Sequence, residues 1–568
     1  MFICRIPTGR HRSGYLYASV LLALSGHARA DEFTTSGSLL RQNPELTQPV
    51  APQNRAASAD DPFQAPAPAV AATQELAFPI KDIQIEGELS PAERAQTEAL
   101  VAPLRGTEVT LSQLKALRGV ISLALYRLSG NPVSVSLPPQ EVADGVVRFT
   151  LLRGRIERVR IDNASPISDS LLDRIFARHS RSLPDIEQGM ALVRKLPGVG
   201  AVHASLSEGE EEGGSLVTVH VVRGAGMDAL VMADNAGSQN SGVQRIGVQA
   251  GINNVFGHGD RLELLAIGTP TFLQPRDQQG GETRVGRLSY DSAVGGNGLR
   301  VGAAYSEVGY RLGGIFDGLG KGHARVTSVY ASRPLLRKPG ADMDLSLSVE
   351  HKQLDDLRFG DLLESRREGD VVSARVSGDA SRALSKLNMA LNYNLGVGAG
   401  RMDADDIDRS MGYTAKETHA QDFAKLEASG GASKWLGARL VATAQLQGQW
   451  ASRALDGSER MSLGGPGAVR AYNQNAPSVD SGGVASLGMS YLPRGLPGFS
   501  MEAFYDVGKG QLRAKGEATA TRMELQGAGV GLGWQRRGFS ARLSYAVPTG
   551  RREPGSSPQT WFTLRQSF

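Results

Sequence analysis

Ser557-Pro558-Gln559-Thr560-Trp561-Phe562-Thr563-Leu564-Arg565-Gln566-Ser567-Phe568 is the stretch on which the fold turns. Counting back from the aromatic end, Phe568, Leu564 and Phe562 share one face, and Ser567, Arg565 and Thr563 share the other. That period of two belongs to a β-strand with a different solvent on each side. The closing strand of an outer-membrane β-barrel ends this way, with Phe568 as a C-terminal barrel signal.

Upstream, segments of about ten residues separated by polar or Gly-rich turns read as strands. They start near Ala229, Val243, Asp260, Thr283, Gly298, His323, Asp342, Asp370, Leu387, Gln421, Ala438, Gly482, Phe499, Arg522, Phe539 and Gln559, sixteen in all. An even number of antiparallel strands lets the sheet close with both ends on one side, and closure leaves no backbone group unpaired in lipid. In Leu440 to Trp450, Leu440, Ala442, Ala444, Leu446 and Trp450 alternate with Val441, Thr443, Gln445, Gln447 and Gln449. Leu345, Leu347 and Val349 alternate likewise with Asp344, Ser346 and Ser348, and Phe539, Ala541, Leu543, Tyr545 and Val547 with Ser540, Arg542 and Ser544. The apolar face is expected toward lipid and the polar face toward a wet lumen. The 69 glycines and 6% aromatic content suit such a chain.

The other end carries an export signal. Arg5, Arg10 and Arg12 precede the apolar run Tyr15 to Leu24, and Ala28-Arg29-Ala30 is the small-x-small pattern cut by a signal peptidase. The run is too short to span a bilayer as a helix, and no later apolar window is long enough. Cleavage after residue 30 removes four arginines and no acid, so the 62 Lys+Arg fall to parity with the 58 Asp+Glu. Net charge is then zero, and a nucleic-acid partner loses its electrostatic basis. The single cysteine, Cys4, leaves too, and with it any thiol nucleophile or disulfide.

Between the ends lie three further parts. Residues 31–77, rich in Pro, Ala, Gln and Asp, read as a flexible spacer with room for one short plug helix around Ser38 to Glu45. Residues 78–154 read as β-α-β-β: a strand around Ile83 and Ile85 ending at Gly87, a helix from Leu111, and strands Val133 to Leu137 and Val146 to Leu152. The helix follows Thr110 and carries Leu114, Leu117, Ile121, Leu125 and Leu128 on one stripe. Residues 155–224 repeat the theme with strand Ile156 to Ile161, helices Ser168 to Arg178 and Ile186 to Leu196, and strands Val199 to Leu206 and Leu216 to Val222. The last two strands flank the acidic turn Glu208 to Gly214. Residues 225–568 form the barrel.

No catalytic constellation emerges. The nine histidines are scattered, and there is no H-E-x-x-H and no phosphate-binding loop, so no metal, cofactor or catalytic residue is expected. Gly527, Gly529, Gly531 and Gly533 alternate with Ala528, Val530 and Leu532. This is a strand with one nearly bare face that leaves space in the lumen for a packed loop. The longest turn-rich connection, about 452–481, contains Leu463-Gly464-Gly465-Pro466-Gly467-Ala468-Val469-Arg470-Ala471-Tyr472. In the second strand after it, Glu502, Phe504, Asp506 and Gly508 share the face opposite Met501, Ala503, Tyr505 and Val507. Asp506 thus points into the lumen, with Arg470 as its candidate partner.

The order of parts resembles the outer-membrane transporters of two-partner secretion, the haemolysin secretion and activation proteins. The likeness rests on Leu137-Pro138-Pro139-Gln140, Asp144-Gly145 and Gly154-Arg155-Ile156, on Leu196-Pro197-Gly198-Val199, on Asp234-Asn235-Ala236-Gly237-Ser238, and on Asn253-Asn254-Val255-Phe256-Gly257-His258-Gly259-Asp260. It implies a 16-stranded antiparallel transmembrane β-barrel preceded by two small α+β periplasmic POTRA domains, with a loop folded into the pore. The loop-tip motif V-R-G-Y is matched by Val469, Arg470, Ala471 and Tyr472, and a strand motif F/G-x-D-x-G by Phe504, Asp506 and Gly508. Arg470 and Asp506 are then the ion pair that anchors the loop. Ala471 stands where the family has Gly, at about 1 kcal/mol if that position needs a positive φ.

The resemblance further implies export of a large β-helical adhesin, haemolysin or contact-dependent toxin with an N-terminal secretion domain. Outer-membrane lipid and a barrel-assembly machinery would be the other partners. The competing readings are an assembly factor of the same superfamily, expected to carry three or five POTRA modules, and a passive porin, which leaves the tandem modules without a role.

Overall fold

The computed structural model describes residues 34–46 and 77–568, apart from 131–132, 141, 143–144, 209, 211–213, 275–279, 339–340, 360–362, 381–383, 385–386, 404–421, 514–519 and 551–556. The expected export signal, most of the spacer and the centre of the Glu208 to Gly214 turn lie outside the described residues.

A short helix, α1 (Ser36–Gln42), comes first. Its N-cap Thr35 and Ser38 form a reciprocal capping box. The first module then contains β1 (Ala77–Pro79), β2 (Asp82–Glu86), α2 (Pro91–Val101), β3 (Glu108–Thr110), α3 (Leu111–Ser129), β4 (Val133–Ser136) and β5 (Val146–Arg153). Strand β2 runs parallel to β5, and β4 antiparallel to it. Leu114, Leu117, Ile121 and Leu125 of α3 pack on Ile83, Val147 and Phe149. The module departs in two respects from the β-α-β-β unit with one apolar stripe that the sequence predicts. It contains a further helix, α2, opened by a capping box of Ser90 and Glu93. Leu128, expected on the buried stripe, is 49% exposed in the last turn of α3, next to its final residue Ser129.

The second module holds β6 (Arg155–Asn163), α4 (Asp169–Phe176), α5 (Leu183–Arg194), β7 (Val199–Glu208) and β8 (Gly214–Arg223), with sheet order β6-β8-β7. Leu172, Ile175, Ile186, Met190 and Val193 of its helices bury Val217 and Val219.

The remaining chain closes a barrel. Its strands are β9 (Met227–Asp234), β10 (Arg245–Asn253), β11 (Arg261–Gly268), β12 (Glu282–Val294), β13 (Leu299–Arg311), β14 (Gly320–Lys338), β15 (Ala341–Arg358) and β16 (Leu363–Asp379). Then follow β17 (Met389–Met402), β18 (Asp422–Trp435) and β19 (Leu440–Ala451). Two short pieces, β20 (Met461–Ser462) and β21 (Ser478–Val479), pair with each other outside the wall. The wall resumes with β22 (Ser481–Tyr491), β23 (Phe499–Leu512), β24 (Thr521–Arg536), β25 (Phe539–Pro548) and β26 (Gln559–Ser567), which returns to β9. Several strands exceed the ten residues expected; β14 has 19 and β15 has 18. The β26–β9 seam is the short one, with register from Thr563↔Asp234 to Ser567↔Leu230.

Outward faces are apolar. Leu347, Val349, Leu446, Trp450, Leu543, Tyr545 and Leu564 are exposed, and so is Phe568, whose amide binds the Ala229 carbonyl across the seam. The inward faces depart from a wet lumen. Leu265, Ile267, Val285, Val308, Val326, Leu354 and Val371 form one buried cluster with Leu39, Leu40 and Leu46, because the N-terminal segment occupies the barrel and supplies their apolar partners.

Strand direction fixes the two ends. Strand β9 leaves the second module, so the turn after β10 returns to the module side. There the Asn253 to Asp260 motif docks: the Ser168 amide donates to Gly257 O at 2.8 Å, and the Asn254 side chain to Pro166 O. Asn254 itself has φ 60°. By the same alternation the connection after β19, the eleventh barrel strand, leaves from the far end.

Candidate functional site

That far-end connection does not project outward. Leu463, Val469, Ala471, Tyr472, Ala476 and Val479 are buried against Val484, Phe504, Leu525 and Ala546 of the inner wall. At its tip, Arg470 meets β23. Its Nε is 2.9 Å from Asp506 Oδ2 and its Nη2 is 2.8 Å from Asp506 Oδ1, a bidentate arrangement, while the Arg470 amide donates to the same carboxylate at 3.1 Å. The guanidinium also reaches Ser486 Oγ at 2.9 Å and Glu502 Oε1 at 3.3 Å, and lies 3.2 Å above the Phe504 ring centroid. Trp561 Nε1 donates to the Arg470 carbonyl at 2.7 Å. A carboxylate with no exposed surface, as Asp506 is, requires such pairing.

The neighbouring motif residues fit by subtraction of side chains. A Cβ on Gly527 would lie 2.3 Å from the Ala471 Cβ, and one on Gly529 would lie 2.3 Å from the Phe504 ring. A Cβ on Gly508 would lie 2.9 Å from Val469. The bare face of β24 thus holds the loop tip and the ring beneath Arg470. Among the described residues the non-glycine positions with positive φ are Asn254, Phe359, Asn388 and Arg537. Ala471 is not one of them, so the strain that a glycine would relieve does not arise. The Tyr472 ring is buried beside it.

The loop base makes a second ionic centre that the sequence did not disclose. Lys352 of β15 pairs with Glu459 of the loop and, at 3.0 Å, with Glu350; Lys425 of β18 pairs with Glu459 at 3.0 Å and Glu427 at 2.7 Å. Burial alone would raise the Glu459 carboxyl, but the two lysines outweigh it and bring it to about 2. Arg367 of β16 pairs with Asp456 of the loop and, at 2.6 Å, with Asp356 of β15.

Asp356 in turn receives the N-terminal helix. Ser36 donates to it through its amide at 2.8 Å and its hydroxyl at 2.9 Å, and Tyr310 donates at 2.7 Å. A carboxylate at a helix N-terminus also meets the positive end of its dipole. Helix α1 lies directly on the loop: Arg41 donates to Gly457 O at 2.8 Å, and a Cβ on Gly37 would sit 3.0 Å from Ser458 N. Beyond it, Ser306 Oγ and Arg287 both donate to Leu46 O. Thr34, at the other end, touches Ser238 of the far-side β9–β10 connection at 2.8 Å.

The Asp234 to Ser238 motif closes the ring. Asp234 pairs with Arg245 at 2.8 Å, while the Asn235 side chain donates to Thr560 O at 2.7 Å and accepts from the Phe562 amide at 2.8 Å, stitching β9 to β26. The site is therefore a barrel plugged by two segments of its own chain. Among the described residues no cluster of His, Cys, Asp and Glu suited to a metal ion is found.

The haemolysin secretion/activation protein model, ShlB/FhaC/HecB, matches residues 213–534, and the ShlB-type POTRA domain matches residues 78–154. The chain is similar to the heme/hemopexin transporter protein HuxB of Haemophilus influenzae, 26% identical over 87% of this chain and 88% of that protein. It is similar to the outer membrane transporter CdiB of Dickeya dadantii, 23% identical over 85% of each. The solved CdiB from Escherichia coli superposes with a TM-score of 0.65 at 20% identity, covering 94% of this chain and 99% of that one. Family members are transporters rather than enzymes. The chain belongs to the haemolysin secretion/activation protein family: it is an outer-membrane β-barrel transporter of two-partner secretion with its POTRA region in the periplasm.

Proposed function

We propose that this transporter exports one large protein partner through its lumen once α1 and the 452–480 loop are displaced, and that the Arg470–Asp506 ion pair anchors the loop until then. One observation supports the reading: both plugging segments lie outside the barrel's hydrogen-bonded ladder and, apart from the loop's two ends at Ser452 and Asp480, meet the wall through contacts that involve side chains, so they can leave without unzipping a wall strand. Breaking a buried pair at one partner costs about 3–5 kcal/mol, enough to hold a resting state and small enough for a bound partner to overcome.

The partner, arriving unfolded and bearing an N-terminal secretion domain, adds as a strand to a free edge of the modules: β2 or β4 in the first, β6 or β7 in the second. Main-chain hydrogen bonds accept many sequences. Folding outside the cell, as a β-helix whose repeats stack in turn, supplies the drive that a nucleotide cannot supply in the periplasm. Adhesins, haemolysins and contact-dependent toxins present the same task. The chain performs no catalysis and needs no cofactor or nucleic acid; its other partners are outer-membrane lipid and the machinery that inserts it.

Secretion of a β-helical partner encoded beside this chain tests the reading in cells carrying wild type, Arg470→Ala or Asp506→Ala. Export by wild type alone, with all three barrels inserted, is expected. A partner found outside regardless would overturn it, as would loss of other barrels when this chain is deleted, which is the assembly-factor outcome.

A further inference from the structure

We infer that the inner wall around Asp506 is a guanidinium-binding site in its own right, which Arg470 fills at rest and which arginine side chains of the passing partner occupy when the loop moves. The inference rests on the export reading for its physiological ligand, but not for its chemistry.

The site is organised by the wall without help from the loop. Ser486 Oγ donates to Asp506 Oδ1 at 2.7 Å across the register pair Ser486↔Asp506, which fixes the carboxylate plane. Arg542 holds Glu502 Oε2 at 2.9 Å from the opposite side. Phe504 lies against Gly529, where any side chain would displace its ring. The result is a two-oxygen fork, a hydroxyl, a second carboxylate at the rim and an aromatic floor. A planar cation with several donors matches all four; a lysine ammonium, a compact point charge, cannot use the fork and the floor together.

Removing the Arg470 side chain while the loop stays leaves Asp506 buried without a cation, the expensive half of a broken pair, and withdrawing the whole loop leaves the carboxylate facing the lumen with its fork and ring unoccupied. An arginine of the passing chain relieves that penalty, so the open pore is stabilised by what it carries. Each such contact is local and exchangeable, which suits a chain moving past.

The test uses purified full-length protein in detergent and methylguanidinium as probe, with methylammonium as control. Arg470→Ala should melt several degrees higher in tens of millimolar methylguanidinium, whereas wild type, its site filled, and Arg470→Ala with Asp506→Asn should not shift. A protein with residues 466–474 replaced by a Gly-Ser linker gives the same comparison should Arg470→Ala fail to insert. Equal shifts with methylammonium, or equal shifts in wild type, would overturn the site. Secretion by wild type is scored separately: secretion without probe binding removes the site alone, and binding without secretion removes the passage while the site stands.

Discussion

Arg367 binds Asp456 and Asp356 at once, and thereby joins the inward loop to the carboxylate that caps the N-terminal helix. The two plugging segments share a single cation in the wall. Arg367→Gln should loosen both, raising the open fraction of single channels in planar bilayers by at least tenfold, whereas Asp456→Asn, which keeps the Arg367–Asp356 pair, should expose the loop to proteolysis and α1 less than Arg367→Gln does. Equal protection of α1 in the two variants would refute the shared link.

Acid should leave the loop base in place until the pH is low. Glu459 is depressed from its ordinary 4.5 to about 2, by two lysines that outweigh its burial. A depressed carboxylate contributes stability that is fully present above its unfolded value and is lost as pH falls through the folded one. Limited proteolysis of residues 452–480 should therefore be alike at pH 7 and pH 5 and rise between pH 4.5 and 2. Glu459→Gln should remove that pH window.

Space at the loop tip makes a paired test. Gly527→Ala brings a methyl group against Ala471 and should displace the tip by overpacking, at about 1–3 kcal/mol. Ala471→Gly alone should be close to neutral, and the double variant should regain most of the loss. Crosslinking of Cys pairs placed at positions 469 and 508 reads the distance.

The seam gives the last test. Asn235→Ala removes two hydrogen bonds that join β26 to β9, worth about 1–2 kcal/mol together. The temperature at which the barrel unfolds in SDS gels should drop by a few degrees, with no change in secretion at growth temperature.

Much of this architecture was legible in the chain. Period-two alternation places nearly every strand start within a few residues, because a wall between lipid and lumen imposes it on each strand separately. Glycines 527 to 533 likewise announced a bare face. Strand β16 begins at Leu363, ahead of the Asp370 that the alternation predicts, because its first exposed positions are the charged Glu364, Arg366 and Glu368 rather than apolar residues. Helix α2 has a capping box at Ser90 and Glu93 but a thin apolar stripe, since it buries Glu93, Thr97 and Val101, and periodicity does not reveal it. The helix at Ser36–Gln42 owes its place to Leu39 and Leu40, which meet their partners only after the ring exists. Lys352, Glu459, Arg367 and Asp456 carry no local signal for the same reason: closure alone brings them together across more than eighty residues.

A ring with one of its own helices inside it constrains the order of its making. The wall is complete only when β26 meets β9, yet the segment from Ser36 to Leu46, earlier in the chain than either, is held by β15 at Ser36 and by β12 and β13 at Leu46. Either the wall curls around a helix already laid against its first strands, or the finished ring is threaded afterward from an open end. Leu39, Leu40 and Leu46 favour the former, since they supply the template on which the early strands can bend before the circle is shut. The stopper would then be a mould as well, present at the birth of the channel that it later closes.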